Sequence, residues 1–291
     1  NAGFSKMEGL YNGDAAGVLM IDRYLLSESY ADRIALFIQD NSSHTNVAMG
    51  KLRTVATAEI GNQTLNISGI NRERKGDELI IFSNYFHRTT LTNQDGLEII
   101  VKKNGVISQI FDGKGSTLIP PDGFVLSASG KFRDELKNVK IGDEVSLNFM
   151  QLLLKGTEKY DVTMVDDIIG GVPQLIKDSK LDITWETEKI GKDFVETKHP
   201  RTAVAILKDR KFLMVTVDGR QPEHSIGINL NDLATLLLEL GATDAMNLDG
   251  GGSTTMFLNG EIKNKPSDKT GERSVSDTIL VFPRKSQNKG Q

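Results

Sequence analysis

Asn229-Leu230-Asn231-Asp232-Leu233-Ala234-Thr235-Leu236-Leu237-Leu238-Glu239-Leu240-Gly241 is the stretch that decides the fold. Asn229 can cap a helix, Asp232 follows three residues later, and Leu233, Leu236, Leu237 and Leu240 recur at helical spacing before Gly241 supplies a stop. The pattern predicts a helix over 230–240 with one apolar face. Apolar runs at 202–207 and 211–217, joined by the polar turn Lys208-Asp209-Arg210, precede it, and another at 245–248 follows. Connections this short join neighbours in space, so the leucine face is expected to lie on a sheet built from those three strands.

Upstream, the pattern gives short strands at 79–82, 98–101, 106–111 and 124–128, with Asn104-Gly105 as a hairpin turn and Pro120-Pro121-Asp122-Gly123 as another. A short helix is expected at 131–139, a long strand at 144–154 and a turn at Gly170-Gly171-Val172-Pro173. Further strands are expected at 254–258 and 278–282. Residues 1–283 therefore read as one α+β domain with a mixed or antiparallel sheet and a few packed helices. Residues 284–291 read as a polar tail, and the abrupt opening Asn1-Ala2-Gly3-Phe4 as the trimmed start of a longer chain.

Composition narrows the function. Of 291 residues, 38% are hydrophobic and 25% charged, as in ordinary globular proteins. The net charge of -4 provides no overall basic field, so nucleic acid is not an expected partner. The absence of Cys excludes disulfides, thiolate nucleophiles and Cys-ligated metals. No run approaches the roughly 18 apolar residues of a membrane-spanning helix. There is no P-loop, no G-x-S-x-G elbow and no H-E-x-x-H pair, and the four His are scattered.

Chemistry concentrates near the C-terminus. In Asn247-Leu248-Asp249-Gly250-Gly251-Gly252-Ser253, three consecutive glycines leave backbone amides open beside a carboxylate, a composition suited to an anion cradle. A plain hairpin turn is the other reading. Asp218-Gly219-Arg220 ends one apolar strand and Arg201-Thr202 begins its neighbour, while Arg273 precedes the last expected strand. Each reads alone either as a solvated strand end or as part of a site. His224 reads as a surface-loop residue or as a site-lining one.

Together these segments resemble the phosphodiester glycosidase family, which has many bacterial, exopolysaccharide-related members. Gly170-Gly171-Val172-Pro173 is similar to its Gly-Gly-x-Pro turn, Arg273 and Val275 to its closing Arg-x-Val element, and Asn1-Ala2-Gly3-Phe4 loosely to a segment near its start. The resemblance implies hydrolysis of a sugar-1-phosphodiester, such as a GlcNAc-α-1-phosphodiester, to free sugar and a phosphomonoester. It implies no metal or other cofactor, a phosphorylated glycan as partner, and a location outside the cytoplasm. Asp249 and Asp218 are the expected catalytic acids. Arg201, Thr202, Arg220, Asn247, Gly250, Gly251, Gly252, Ser253 and Arg273 are the expected substrate and phosphate contacts. Two rivals stay open: a binder of phosphorylated glycans that cleaves nothing, and a metal-dependent phosphodiesterase that cuts P–O instead of C–O.

Overall fold

The computed structural model describes residues 1–41, 43–155, 158–162 and 165–283, so the tail assigned to 284–291 lies outside them. The chain is mostly β, with 41% strand and 10% helix, so the α+β expectation holds only in outline. Three sheets organise it. An eight-stranded antiparallel sheet is built around the 16-residue strand Thr45–Ile60, and a five-stranded sheet carries strands Leu79–Ser83, Leu97–Lys102, Ile107–Asp112 and Gly123–Ala128. A second five-stranded sheet holds, in order, Lys180–Leu181, Gln174–Lys177, Ala242–Asn247, Arg201–Leu207 and Phe212–Val217.

The eight-stranded sheet packs against both others. Ala56 and Ala58 join Ile81, Ile99 and Leu126 in one apolar cluster, while Ile34, Leu36 and Met49 join Val204, Met246 and Leu248 in another. Glu188 adds a polar tie across the second junction. Fully buried, it accepts the Ile34 amide on one sheet (3.1 Å) and the Gln174 amide on the other (3.0 Å), with the Thr184 hydroxyl as a third donor (2.5 Å). A buried carboxylate is tolerated only when its oxygens are satisfied in this way.

In the third sheet the expected neighbours pair: Arg201–Leu207 lies between Phe212–Val217 and Ala242–Asn247, antiparallel to both. Register places Arg201 opposite Val217 and Ala203 opposite Asn247. The beginning of one strand and the ends of two others thus share one edge of the sheet. The helix Leu230–Glu239 starts as anticipated, with Asn229 Oδ1 accepting from the Asp232 amide at 2.8 Å. Its buried face differs from the expected one. Leu230, Leu233, Ala234 and Leu237 are buried, whereas Leu236 and Leu240 are 38% and 52% exposed. The run of leucines from 236 to 238 offers two overlapping stripes, and packing on strands Gln174–Lys177 and Ala242–Asn247 selects one.

Two expected strands are corrected. Only Phe257–Leu258 of 254–258 pairs, with Glu261–Ile262 across Asn259-Gly260, because the Asn264 side chain takes the Thr254 carbonyl (2.9 Å) and the Met256 amide (2.7 Å) that a ladder would use. The run 278–282 forms no strand; Leu280, Val281 and Phe282 are exposed, and its β-rich composition has no ladder partner among the described residues. Gly170-Gly171-Val172-Pro173 carries the chain from one sheet to another, through a cis Val172–Pro173 bond. A Cβ on Gly171 would stand 2.6 Å from the Asn247 carbonyl oxygen, so the crossing requires glycine there.

The helix assignment is tested by truncation. Leu237→Ala is expected to cost about 2–5 kcal/mol in urea unfolding, and Leu240→Ala no more than about 0.5 kcal/mol. Equal losses would show that the wrong face has been assigned to the core.

Candidate active site

The loop that leaves strand Ala242–Asn247 crosses the shared sheet edge, and each of its glycines meets a different neighbour. A Cβ on Gly250 would lie 2.8 Å from the Pro200 carbonyl oxygen, and the Gly251 amide donates to that same oxygen (2.9 Å). Gly251, at φ +61°, lies under Arg220, whose Nη1 is 3.1 Å from where a Cβ would sit. Gly252 lies under Arg273 and Asp268, with Arg273 Cζ at 2.6 Å from the same point. The backbone at Pro200–Arg201 and the side chains of Arg220 and Arg273 therefore meet the loop at successive residues. This explains the triplet better than a hairpin turn does, since a turn needs glycine at one or two positions only.

The arginines are not equivalent. Arg201 is 2% exposed, donates to the carbonyls of Phe194 (2.6 Å), Thr197 (2.9 Å) and Ile228 (3.3 Å), and lies over the Phe194 ring. Burial, and next the charge of Arg220, pull its pKa down to about 10. Arg220 donates through Nε to His199 Nδ1 (3.4 Å). Neither has a carboxylate partner among the described residues. Arg273 does, as its Nε and Nη2 grip Asp268 at 2.8 and 3.0 Å. Arg201 thus contributes a buried positive charge held by backbone carbonyls, and Arg220 a more exposed one beside the glycine loop, an arrangement that favours an anion.

The acids divide likewise. Asp249 is half-buried, and that burial pushes its pKa up against the opposing effects of the Ser253 hydroxyl, the Gly250 amide and the Arg273 charge. Asp218 is engaged differently. One oxygen accepts from His224 Nε2 (2.8 Å), the other from the Lys265 amide (2.9 Å) and Asn264 Nδ2 (3.3 Å). Burial opposes its ionisation, yet those hydrogen bonds outweigh it and hold the carboxyl below its usual range. Asp218 is thus tied to the segment at 264–265 and to His224 through both oxygens. His224 orients Asp218.

Asn247 is fully buried, and its Nδ2 donates to the carbonyls of Val172 (2.7 Å) and Leu248 (2.9 Å) at the base of the loop. Thr202 Oγ1 donates to Asn1 Oδ1 (3.2 Å), and Ser253 is buried against Asp249. Asn1, only loosely matched from sequence, is central here: Nδ2 donates to the Asp249 carbonyl (2.5 Å) and Oδ1 accepts the Thr255 amide (3.3 Å). Four residues escaped the sequence reading, namely His199, Asn264, Asp268 and Asp277. Asp277 accepts the Gly3 amide (2.7 Å). Burial, followed in smaller part by repulsion from Asp249, raises its pKa against the pull of the Gly3 amide. Only His199 carried a local signal, since it stands two residues before Arg201.

Residues 95–282 match the phosphodiester glycosidase family profile. The N-acetylglucosamine-1-phosphodiester alpha-N-acetylglucosaminidase of Mus musculus is 28% identical over 204 residues, which is 64% of this chain and 38% of that protein. The Homo sapiens protein of that name is 32% identical over 136 residues, 41% of this chain and 26% of its own length. The SPbeta prophage-derived uncharacterized protein YomE of Bacillus subtilis is 37% identical over 107 residues, 37% of this chain and 16% of that one. The chain thus spans well under half the length of these relatives. Among solved structures, a Burkholderia pseudomallei protein described as exported superposes with a TM-score of 0.82 at 22% identity, over 97% of this chain and 65% of that one. A hypothetical protein from Synechocystis gives 0.76 at 20%, over 92% and 48%. At such identities these two share the fold. By its match across 95–282, the chain belongs to the phosphodiester glycosidase family.

Proposed function

We propose that this chain hydrolyses a sugar-1-phosphodiester, with a GlcNAc-α-1-phosphodiester as the model substrate, and that it works outside the cytoplasm on a phosphorylated glycan. The observation that carries the reading is a half-buried carboxyl, Asp249, that opens a glycine loop whose next residues lie against the guanidiniums of Arg220, at Gly251, and Arg273, at Gly252. The names of the mammalian relatives and the exported Burkholderia neighbour agree with it.

The chemistry suits these groups. Water attacks C1, the C1–O bond breaks, and the bonding pair leaves on the phosphate oxygen as a phosphomonoester, while the water's surplus proton passes to a base. A phosphate leaving group is already a stable anion, so it does not depend on the general-acid protonation that contributes about 10²- to 10⁴-fold elsewhere. Arg220 and the open amides of Gly251 and Gly252 would hold the phosphate oxygens, with Arg201 adding positive charge from beneath. Asp249 would face C1, either as nucleophile or as the base for water. Asp218 would hold the wall formed by 264–265 in place.

Asp249→Asn is expected to abolish turnover while leaving sugar-phosphate binding largely intact, because the amide keeps the shape and loses the charge. Arg220→Ala should lower kcat/KM by roughly 10- to 150-fold, the loss of about 1.5–3 kcal/mol from one charge-assisted contact. Hydrolysis in oxygen-18 water should place label in the sugar. Label in the phosphate would replace C–O cleavage by P–O cleavage, and no release of sugar from any sugar-1-phosphodiester would leave a binding protein.

Asp249 also sets a pH dependence of stability. Its folded pKa lies above the 3.8 of a free Asp, so the folded state holds this proton more tightly than the unfolded chain. Below about pH 3.8 both states are protonated and nothing is lost; as pH rises through the folded value, stability falls. Asp249→Asn should therefore be more stable than wild type at about pH 7, with the gain fading towards about pH 3. Denaturant titrations at both pH values, with no gain at the higher one, would show that burial does not strain this carboxyl.

A further inference from the structure

On the other five-stranded sheet, strands Leu97–Lys102 and Ile107–Asp112 and the segment at 117–122 enclose an open groove of about 750 Å³, within the roughly 300–1,000 Å³ range of ligand clefts. It shares no residue with the candidate active site. Three cations line it, Arg88, Lys102 and Lys114, against one acid, Asp122. Among the described residues none of the three has a carboxylate partner. The acids that flank the sheet are committed elsewhere, Asp95 to Arg74 and Asp112 to Arg133. Lys114 rests its ammonium over the Phe111 ring, 4.0 Å from the centroid, which positions the charge without cancelling it.

The groove also contains Thr117, which is 2% exposed and whose hydroxyl has no hydrogen-bond partner in the structure. A protein of net charge -4 that gathers unpaired cations in one concave, partly apolar groove carries a local attraction for anions that its overall field lacks. The exposed Gln109 amide in the same lining, able both to donate and to accept, suits a polyhydroxylated ligand better than a bare ion.

We propose that this groove is a second carbohydrate site, which holds an anionic glycan chain through Arg88, Lys102 and Lys114 while the Gly250–Gly252 loop acts on a phosphodiester. The choice of glycan over other polyanions rests on the reading of the substrate as a phosphorylated glycan. The site's occupancy does not depend on catalysis. Its function is to keep a polymeric substrate at the surface between cleavage events, raising local concentration.

The test titrates the whole chain, wild type and Arg88→Gln/Lys102→Gln/Lys114→Gln, with polygalacturonate, poly(glycerol phosphate), neutral dextran and a single-stranded oligodeoxynucleotide of matched charge. Wild type should bind at least one of the two anionic glycans about tenfold or more tightly than dextran and the oligonucleotide, and the triple variant should lose about tenfold of that. Which of the two binds distinguishes carboxylate from phosphate as the recognised group. Thermal midpoints confirm folding, and Lys102→Gln alone, expected to weaken binding by a smaller factor, serves if the triple variant does not fold. Binding is read separately from cleavage of a small soluble GlcNAc-1-phosphodiester, which the variants should leave unchanged, so failure of the groove and failure of the active-site reading are distinct results. Failure to bind either anionic glycan, unchanged binding in the variants, or dextran bound as tightly as the anionic glycans would overturn the proposal. An oligonucleotide bound as tightly as the glycans would do the same and make the groove a nucleic-acid surface.

Discussion

Three consecutive positions that can carry no side chain set the geometry of the whole site. At Gly250 the obstacle is a backbone oxygen, at Gly251 a guanidinium and at Gly252 an ion pair. A glycine triplet costs conformational entropy, and a loop that merely reversed direction would not need it. Here the cost is offset by close approach: the strand that begins at Arg201, the loop that carries Arg220 and the segment that carries Arg273 can all reach one point. The sheet supplies the other half of the constraint, since antiparallel register brings Arg201, Val217 and Asn247 to the same edge.

Charge around that point is arranged in layers. Arg273 is matched by Asp268, and Asp218 is matched by donors from three residues, so these groups hold loops in place. Among the described residues Arg201 and Arg220 are matched by no acid, and partial burial of Asp249 favours its neutral form. His199, which accepts from Arg220, is held neutral, because burial and then both arginine charges lower its pKa. Such frustration is characteristic of a functional site, where groups are kept in states that water would relax.

Legibility in the sequence followed the range of the interactions. The capped helix, the three mutually paired strands around it in sequence and the Asn104-Gly105 hairpin rest on local patterns and were readable, whereas strand Gln174–Lys177, on which the helix also packs, was not. Strands at 254–258 and 278–282 were misread because composition cannot reveal that Asn264 captures Thr254 and Met256, or that 278–282 finds no neighbour. The partners of Asp218 were hidden for the same reason, as Asn264 and Lys265 lie 46 and 47 residues away. The close approach to the loop was legible in the glycines, against which Arg220 and Arg273 lie at Gly251 and Gly252. Which arginine stays unpaired was not, since Asp268 gives no local sign of its target.

The contact between Asn1 and Asp249 closes one of the long loops in the site, joining residues 248 apart. Closing so long a loop has a high entropic cost, and the contacts that reward it form only when the rest of the chain is in place. The glycine loop should then be among the last parts to order during folding and among the first to open in native fluctuations, while the strands beneath stay protected. Substrate that bridges the loop and Arg220 would close the same opening, so that ligand and fold become coupled: occupancy makes the site more rigid, and vacancy leaves it the softest part of an otherwise well-packed sheet.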